Sequence, residues 1–272
     1  MRALALVAAL ALAACGPKFG DLTPGETGRV ARAYGGDTLV LDSGLRVFLA
    51  EIDAPRGEDD YARQAQGELE ALALHREVQL AYAPGARRWT PADGSAPQQE
   101  TALAHVFVRS EGGRWFWLQH ELIARGAAFV RPRRGALTRT DALLAVERSA
   151  RGGERGLWKQ RDWAWLAPRS AARAALKANA QCQTGAAPYR FLEADIASAD
   201  IGADRASFTL ANMPRDKSFA ITLYGDDFAA WDGPDLNTLA GAHIRIRGPL
   251  GVFDETPQLC LETSAQLELT TP

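Results

Sequence analysis

Short runs of β-forming residues separated by turns characterise the first part of the chain. Val30–Tyr34, Thr38–Leu41 and Leu45–Ile52 are rich in aliphatic and branched residues, and they are interrupted at Gly35-Gly36 and Asp42–Gly44. Glycine and aspartate in such positions are typical of tight turns between antiparallel strands. The pattern predicts a three-stranded meander.

The apolar spacing then changes from a strand pattern to a helical one. In residues 58–75, Tyr61, Ala65, Leu69 and Leu72 recur at intervals of four, four and three, so they share one helix face. The pattern further along predicts two strands and then two helices, at Arg76–Tyr82, Ala102–Val108, Trp117–Arg125 and Thr138–Arg151. Five strands with a helix after the third favour a small closed OB-type barrel, so the expected fold class is mainly β with helices.

The last third of the chain has a similar order of predicted elements, without a detectable sequence repeat. Residues 168–187, rich in Ala, Ser and Arg, are expected to form a helical or irregular linker. The segments that follow predict strands, with a partly helical stretch at 226–239: Arg190–Ile196, Ala206–Leu210, Ser218–Leu223, His243–Arg247, Gln258–Glu262 and Gln266–Leu269. This order predicts a second OB-like barrel, whose Phe208, Phe219 and Tyr224 either stack on bases or fill the core.

The N-terminus has the pattern of an export signal. Arg2 precedes an unbroken apolar run from Ala3 to Ala14, which is long enough for a signal peptide and too short to span a membrane. Leu12-Ala13-Ala14-Cys15 resembles the lipobox of bacterial lipoproteins, in which the cysteine is lipidated. We therefore expect a signal peptide at 1–14, lipidation of Cys15 and a polar tether at 15–27. In Gram-negative lipoproteins, Gly16 after the cysteine implies an outer-membrane location facing the periplasm; the alternative is an ordinary signal peptide.

Export places the two remaining cysteines, Cys182 and Cys260, in an oxidising compartment. They form either a disulfide or two buried free thiols. Two cysteines and four scattered histidines do not have the spacing of a zinc site.

Charge is distributed unevenly, although the whole chain carries a formal charge of only −2. Residues 125–161 contain ten Lys and Arg against three acidic residues, which gives +7, whereas residues 169–272 contain nine against thirteen, which gives −4. The basic segment either binds a nucleic acid or another polyanion, or forms solvated helix faces.

Five short motifs, in order along the chain, resemble successive signatures of the staphylococcal nuclease (thermonuclease) family. They are Gly36-Asp37-Thr38, Ile52-Asp53-Ala54-Pro55, Leu103–Phe107, Glu121–Gly126 and Arg155–Trp158. The resemblance implies a nuclease-like OB-fold barrel over residues 28–166, followed by a linker at 167–187. The remaining residues, 188–272, are similar to the OB-like extension of some exported relatives.

The family hydrolyses DNA and RNA with Ca²⁺, which two aspartates and a backbone carbonyl hold. By this resemblance Asp37 and Asp53 occupy the metal-binding positions and Ala54 the carbonyl position. Carboxylate and carbonyl oxygens suit Ca²⁺, so weak Ca²⁺ binding is expected. The alternative role for both aspartates is turn capping.

Three further family positions carry the wrong side chains for catalysis. The glutamate that activates water is replaced by Arg56, and the two phosphate-binding arginines are replaced by Phe48 and Thr101. Because loss of one such donor costs roughly 2.7–4 kcal/mol of transition-state stabilisation, the ordinary mechanism should be almost abolished. Possible substitutes are Glu58, Arg87 and Arg88. Without rescue, Phe48, Asp37 and Asp53 are expected to line one shallow site with no guanidinium over it.

Three functions follow from these observations. The first is an exported, lipid-anchored protein with a degenerate nuclease site that binds a nucleic acid, another polyanion or a protein. The second is a working metal-dependent phosphodiesterase with a rearranged site. The third is a structural envelope lipoprotein without an anionic ligand.

Overall fold

The computed structural model describes residues 16–57, 59–86, 101–182, 184, 187–213 and 218–271. Within these ranges the chain forms two closed five-stranded β-barrels, as the sequence predicted. None of the described helices is long and apolar enough to cross a membrane.

The first barrel is built from five strands and closed by a parallel pairing. Its strands are β1 (Thr23–Tyr34), β2 (Thr38–Leu41), β3 (Arg46–Leu49), β5 (Glu77–Tyr82) and β6 (Thr101–Arg109). The order β3-β2-β1-β5-β6 is antiparallel throughout, and a parallel pairing of β3 with β6 closes the ring. Helix α1 (Asp60–Ala73) lies against the barrel with Ala65, Leu69 and Leu72 buried, as its apolar spacing predicted.

Additional elements cover the first barrel. They are strand β7 (Trp115–Trp117), helix α2 (Leu118–Ala124), strand β8 (Phe129–Val130) and helix α3 (Thr140–Gly152). Strand β1 begins earlier than predicted, because residues 23–27 of the expected tether pair with β5. The predicted strand Leu45–Ile52 is interrupted, because Glu51 adopts a positive φ of 65°. A separate short strand, β4 (Ile52–Asp53), follows and pairs with β8 instead.

The second barrel has the same circular strand order as the first. It contains β9 (Tyr189–Ile201), β10 (Arg205–Leu210), β11 (Ala220–Tyr224), β12 (His243–Phe253) and β13 (Thr256–Leu261). A parallel pairing of β11 with β13 closes it, and β14 (Leu267–Thr270) extends the sheet beside β12. Helix α5 (Gly225–Ala229) follows β11. Phe208 and Phe219 are buried in the core, whereas Tyr224 is half-buried and donates to Gln258 at 2.8 Å.

Much of the segment expected to be a linker belongs to the second barrel. Helix α4 (Pro168–Ala178) buries Ala171, Ala172 and Ala175 in the core of that barrel. Beyond α4, a disulfide joins Cys182 to Cys260 on β13, with their Cα atoms 6.0 Å apart. This bond fixes the chain just before β9 to the strand that closes the barrel.

The two barrels contact each other through an aromatic cluster. Phe129 of β8 stacks on Tyr189 with 5.4 Å between ring centroids, and meets Phe191 edge-on at 5.8 Å. The guanidinium of Arg151 lies 3.7 Å from the ring centroid of Trp158 and 4.0 Å from that of Phe191. Cation–π contacts and apolar burial therefore stabilise the same interface.

Candidate functional site

Asp37 is placed by a tight turn between β1 and β2. Gly35 has a positive φ of 56°, and a Cβ at Gly36 would lie 2.6 Å from the Cβ of Ala54 and 2.7 Å from that of Ala65. Glycine is therefore required for the turn to approach helix α1. The Asp37 carboxylate accepts hydrogen bonds from the Thr38 hydroxyl at 2.9 Å and from the Ala54 amide at 3.3 Å.

Asp53 is placed by the short pairing of β4 with β8. It lies opposite Phe129 in that pair, and its side chain is almost fully buried. The Ala54 amide donates to Asp53 Oδ1 at 3.0 Å as well as to Asp37. The two aspartates predicted from sequence are thus brought together, and Ala54 contributes its N–H group to both.

The guanidinium of Arg56 bridges the two carboxylates. Its Nη2 atom lies 3.2 Å from Asp37 Oδ2 and 2.9 Å from Asp53 Oδ1, and its Nε donates to Asp53 Oδ1 at 3.3 Å. Charge-assisted bonds of this kind are stronger than neutral ones. The expectation of a site with no guanidinium over the aspartates is therefore wrong, because the residue at the glutamate position reaches back across both of them.

Two more arginines approach Asp53 from the segment after β8. Arg131 donates to Asp53 Oδ2, and Arg133 Nη2 lies 4.0 Å from the same oxygen. Sequence reasoning placed both arginines in a basic segment but missed this contact. The contact joins residues 78 positions apart, so no local sequence pattern indicates it.

The two carboxyl groups have opposite pKa shifts. Burial, together with the hydrogen bond to Asp53 and the charge of Asp53, raises the pKa of Asp37 to about 7. Burial would also raise the pKa of Asp53, but the hydrogen bond from Asp37 and the charges of Arg131 and Arg56 hold it well below its usual range. Asp37 is thus the group that carries a proton near neutral pH, while Asp53 stays ionised.

The two other altered family positions lie at different distances from this pair. Phe48 on β3 lies opposite Thr38 and, together with Asp37, lines a cavity of only about 20 Å³. Thr101, at the start of β6, lies opposite Arg46 and does not line that cavity. Asp53 instead lines a separate cleft between the barrels, so Phe48, Asp37 and Asp53 do not share one site as expected.

The residues present do not fit a bound Ca²⁺ as they are arranged. Two carboxylates are suitable ligands, yet the space between them is bridged by the guanidinium of Arg56. Carboxylate oxygens must be free to face the metal, and here they face an internal cation. The proposed substitutes Glu58, Arg87 and Arg88, and the lipidation residue Cys15, lie outside the described residues.

A buried carboxylate behind the pair was also missed by sequence reasoning. Glu51, at the break between β3 and β4, accepts from the Thr140 hydroxyl at 2.7 Å and from the Arg139 amide at 3.0 Å. It also lies 3.2 Å from Nε2 of the buried His105. These contacts fix the turn that leads into Asp53, and they come from residues far apart in sequence.

The basic segment 125–161 is dispersed over the molecule. Several of its cations pair with carboxylates on different elements: Arg125 with Glu68, Arg134 with Asp227, Arg139 with Asp21, and Arg151 with Glu147. Paired arginines have less charge available for a polyanion, and binding by this segment stays a prediction.

Comparisons with known proteins match the part of the chain that contains Asp53 and Arg56. Residues 46–160 match the family model described as staphylococcal nuclease homologue. Two curated relatives, from Escherichia coli O157:H7 and Escherichia coli, are both named "Uncharacterized endonuclease", and each is 28% identical over 146 residues. The alignment covers 51% of this chain and 83% of each relative. The family match begins after Asp37 and ends before the second barrel.

Proposed function

We propose that this chain, whose residues 46–160 match the staphylococcal nuclease family model, is a nuclease-family protein that binds nucleic acid or another polyanion without cleaving it. A single observation carries this proposal: the Arg56 guanidinium spans Asp37 and Asp53 at 3.2 and 2.9 Å, in the place where the family holds its metal. An internal cation there supplies the positive charge that the carboxylates need, but it cannot activate water as a metal does.

The proposal includes the location of the protein. The apolar run before Cys15 and the lipobox-like sequence support an exported, lipid-anchored protein at the outer membrane. The disulfide between Cys182 and Cys260 adds support, because such bonds persist mainly in oxidising compartments.

One observation favours a second candidate, a working phosphodiesterase with a rearranged site. Arg131 and Arg133 approach Asp53 from the segment after β8. Arginines in such a place can bind a phosphate and stabilise its developing charge. The relatives' name, endonuclease, agrees with this alternative.

DNA hydrolysis by the unmodified chain distinguishes the two functions, and removal of the Arg56 charge tests whether its guanidinium replaces a metal ion. We expect the full chain to show no Ca²⁺-dependent hydrolysis of single-stranded DNA, and no rise in Tm when Ca²⁺ is added. Arg56→Gln should gain a Ca²⁺-dependent rise in Tm, because the two carboxylates would then need another cation. Thermal unfolding with and without Ca²⁺, beside a DNA hydrolysis assay, measures both effects.

Arg109→Gln is the matched control, because it removes an arginine from an exposed ion pair with Glu77 on the same barrel. It should remain insensitive to Ca²⁺. Rapid Ca²⁺-dependent hydrolysis by the unmodified chain would contradict the proposal and support the phosphodiesterase.

A further inference from the structure

A cleft of about 270 Å³ lies between the barrels, and its walls include Asp53 but not Phe48. Its walls include Arg56 and Arg131 from the first barrel, Trp163 from the segment that follows α3, and Tyr189 and Arg190 from β9. We call it the inter-barrel cleft. Its volume is near the lower end of the range for small-molecule sites.

One cation of the inter-barrel cleft forms no ion pair among the described residues. Of the two carboxylates in the walls, Asp53 is bound by Arg56 and Arg131, and Asp59 caps α1 by accepting from the Ala62 amide at 2.8 Å. Arg190 donates to the carbonyl of Tyr189 at 2.8 Å. Burial lowers the pKa of Arg190, and the charge of Asp162 opposes this shift.

The aromatic walls hold these arginines in fixed positions. The guanidinium of Arg190 lies 5.6 Å from the ring centroid of Trp163, and that of Arg131 lies 5.2 Å from that of Tyr189. An arginine held over an aromatic face keeps its N–H edge free for an anion. Less entropy is then lost when the anion binds.

A second, independent observation points to a ligand. The hydroxyl of Tyr189 is buried, and it has no hydrogen-bond partner within the part of the chain that the structure describes. Nε of Arg131 is likewise buried and without a partner there. Buried donors without partners are costly, so each group requires an explanation. Both residues line the same cleft as Arg190.

We propose that the inter-barrel cleft binds one phosphate ester group of a nucleotide or of a single strand, with Arg190 as its main cation and the Tyr189 hydroxyl as a further donor. Arginine matches phosphate because its parallel N–H groups meet two phosphate oxygens at once. The inference rests on the proposed polyanion-binding function and gives the anion a site. It differs from the family's metal position, because residues of the second barrel form one wall.

Direct binding measurements on the full chain test this site. The probes are thymidine 5′-monophosphate, inorganic phosphate and unphosphorylated thymidine, titrated up to about 10 mM by calorimetry. We expect the monophosphate to bind, inorganic phosphate to bind more weakly, and thymidine not to bind. Arg190→Gln should weaken binding of the monophosphate by about tenfold or more. Tyr189→Phe should weaken it by only a few-fold, since the ring and its packing remain.

Arg173→Gln is the matched control, because Arg173 is exposed on α4, does not line the cleft and donates a hydrogen bond to the Ser170 hydroxyl at 3.4 Å. The affinity of this variant for the monophosphate should equal that of the unmodified chain. Equal affinity of Arg190→Gln and the unmodified chain would overturn the proposal, as would absence of monophosphate binding or equal binding of thymidine. Such failures leave the Ca²⁺ response of Arg56→Gln untouched, so the site and the proposed function fail separately. The unfolding temperature of each variant shows that a loss of binding is not a loss of fold.

Discussion

At the scale of single residues, Asp37 and Asp53 show how position decides the behaviour of identical side chains. Asp53 is bound by two arginines, so its charged form is stabilised despite burial. Asp37 shares Arg56 with its neighbour and faces the negative charge of Asp53 at close range, so its neutral form is favoured. The pair holds one proton between two carboxyl groups near neutral pH, and its titration belongs to the pair.

The raised pKa of Asp37 predicts a specific dependence of stability on pH. Its carboxyl group has a pKa of about 7 in the folded chain against a reference value of 3.8. The folded state therefore binds more protons than the unfolded state between about pH 4 and pH 7, and the stabilisation present below pH 4 is lost as pH rises through 7. The free energy of unfolding should fall by up to about 4 kcal/mol over this window.

Asp37→Asn should remove most of this pH dependence, because asparagine is neutral throughout. Asp53 acts outside the window, since the stability that its lowered pKa contributes is lost only as pH falls into the more acidic range. Denaturant unfolding at several pH values measures the slope, and Asp42→Asn, a change at an exposed turn residue, is the control. An unchanged slope in Asp37→Asn would show that another group titrates.

The sequence predicted which residues form the site better than it predicted their contacts. Asp37, Asp53 and Arg56 were placed at family positions, and the structure brings them together. The direction of the Arg56 side chain was missed, because it depends on the charges it meets in the folded chain. Arg131 lies 78 residues from Asp53, and no local pattern indicates a contact over that separation.

At the scale of elements, helix α3 connects the two barrels through a buried ion pair. Glu147 on α3 is 1% exposed and Arg247 on β12 is 6% exposed, with Nη1 2.9 Å from Oε1. Arg247 also donates to the carbonyl of Val130 at 3.3 Å, and the Val130 amide donates to Glu147 at 2.6 Å. One carboxylate thereby fixes strand β8, helix α3 and the second barrel together.

Breaking this pair should be much more costly than removing it. Glu147→Gln leaves Arg247 buried with less compensation, and we expect a loss of about 3–5 kcal/mol in the free energy of unfolding. Arg247→Met should cost a similar amount, because it leaves Glu147 with Arg151 alone. The double variant should be more stable than the sum of the two losses implies, and denaturant unfolding of all four proteins gives the coupling energy.

Glu68→Gln provides the comparison, because Glu68 pairs with Arg125 in an exposed position and should contribute no more than about 1 kcal/mol. Additive effects of the Glu147 and Arg247 substitutions would contradict a direct interaction between them.

Elements with a strong period were predicted well, and irregular ones were not. Helix α1 was identified from its apolar face, because burial on one face leaves a regular pattern, and β2 from a run of β-forming residues between two turns. The break at Glu51 was missed, since a glutamate gives no turn signal and its positive φ is stabilised by distant partners. Helix α4 was taken for a linker because its buried residues are alanines, which also suit a solvated helix.

At the scale of the whole molecule, the proposed lipid anchor at Cys15 would set where both barrels work. Cys15 lies eight residues before Thr23, the first residue of β1, so a lipid at this position would hold the first barrel close to a membrane surface. We expect Cys15→Ser to yield an exported protein that no longer partitions into detergent with membranes. Fractionation of cells that produce each form measures this change.

The double variant Cys182→Ser, Cys260→Ser is the control for that experiment. It removes the other two cysteines and leaves the lipobox-like sequence intact. It should remain with the membrane fraction. Membrane partitioning of Cys15→Ser equal to that of the unmodified chain would contradict a lipid anchor.

The closure of each barrel also sets the order in which the two barrels can fold as the chain emerges from its N-terminus onward. The first barrel closes when β3 pairs with β6, and the second when β11 pairs with β13, so each must wait for its fifth strand. The first ring can close once residue 109 has emerged, whereas the second needs the chain through residue 261. Until then β11 and β12 expose strand edges that β13 will later cover, so the incomplete second barrel is the state most open to association with other chains.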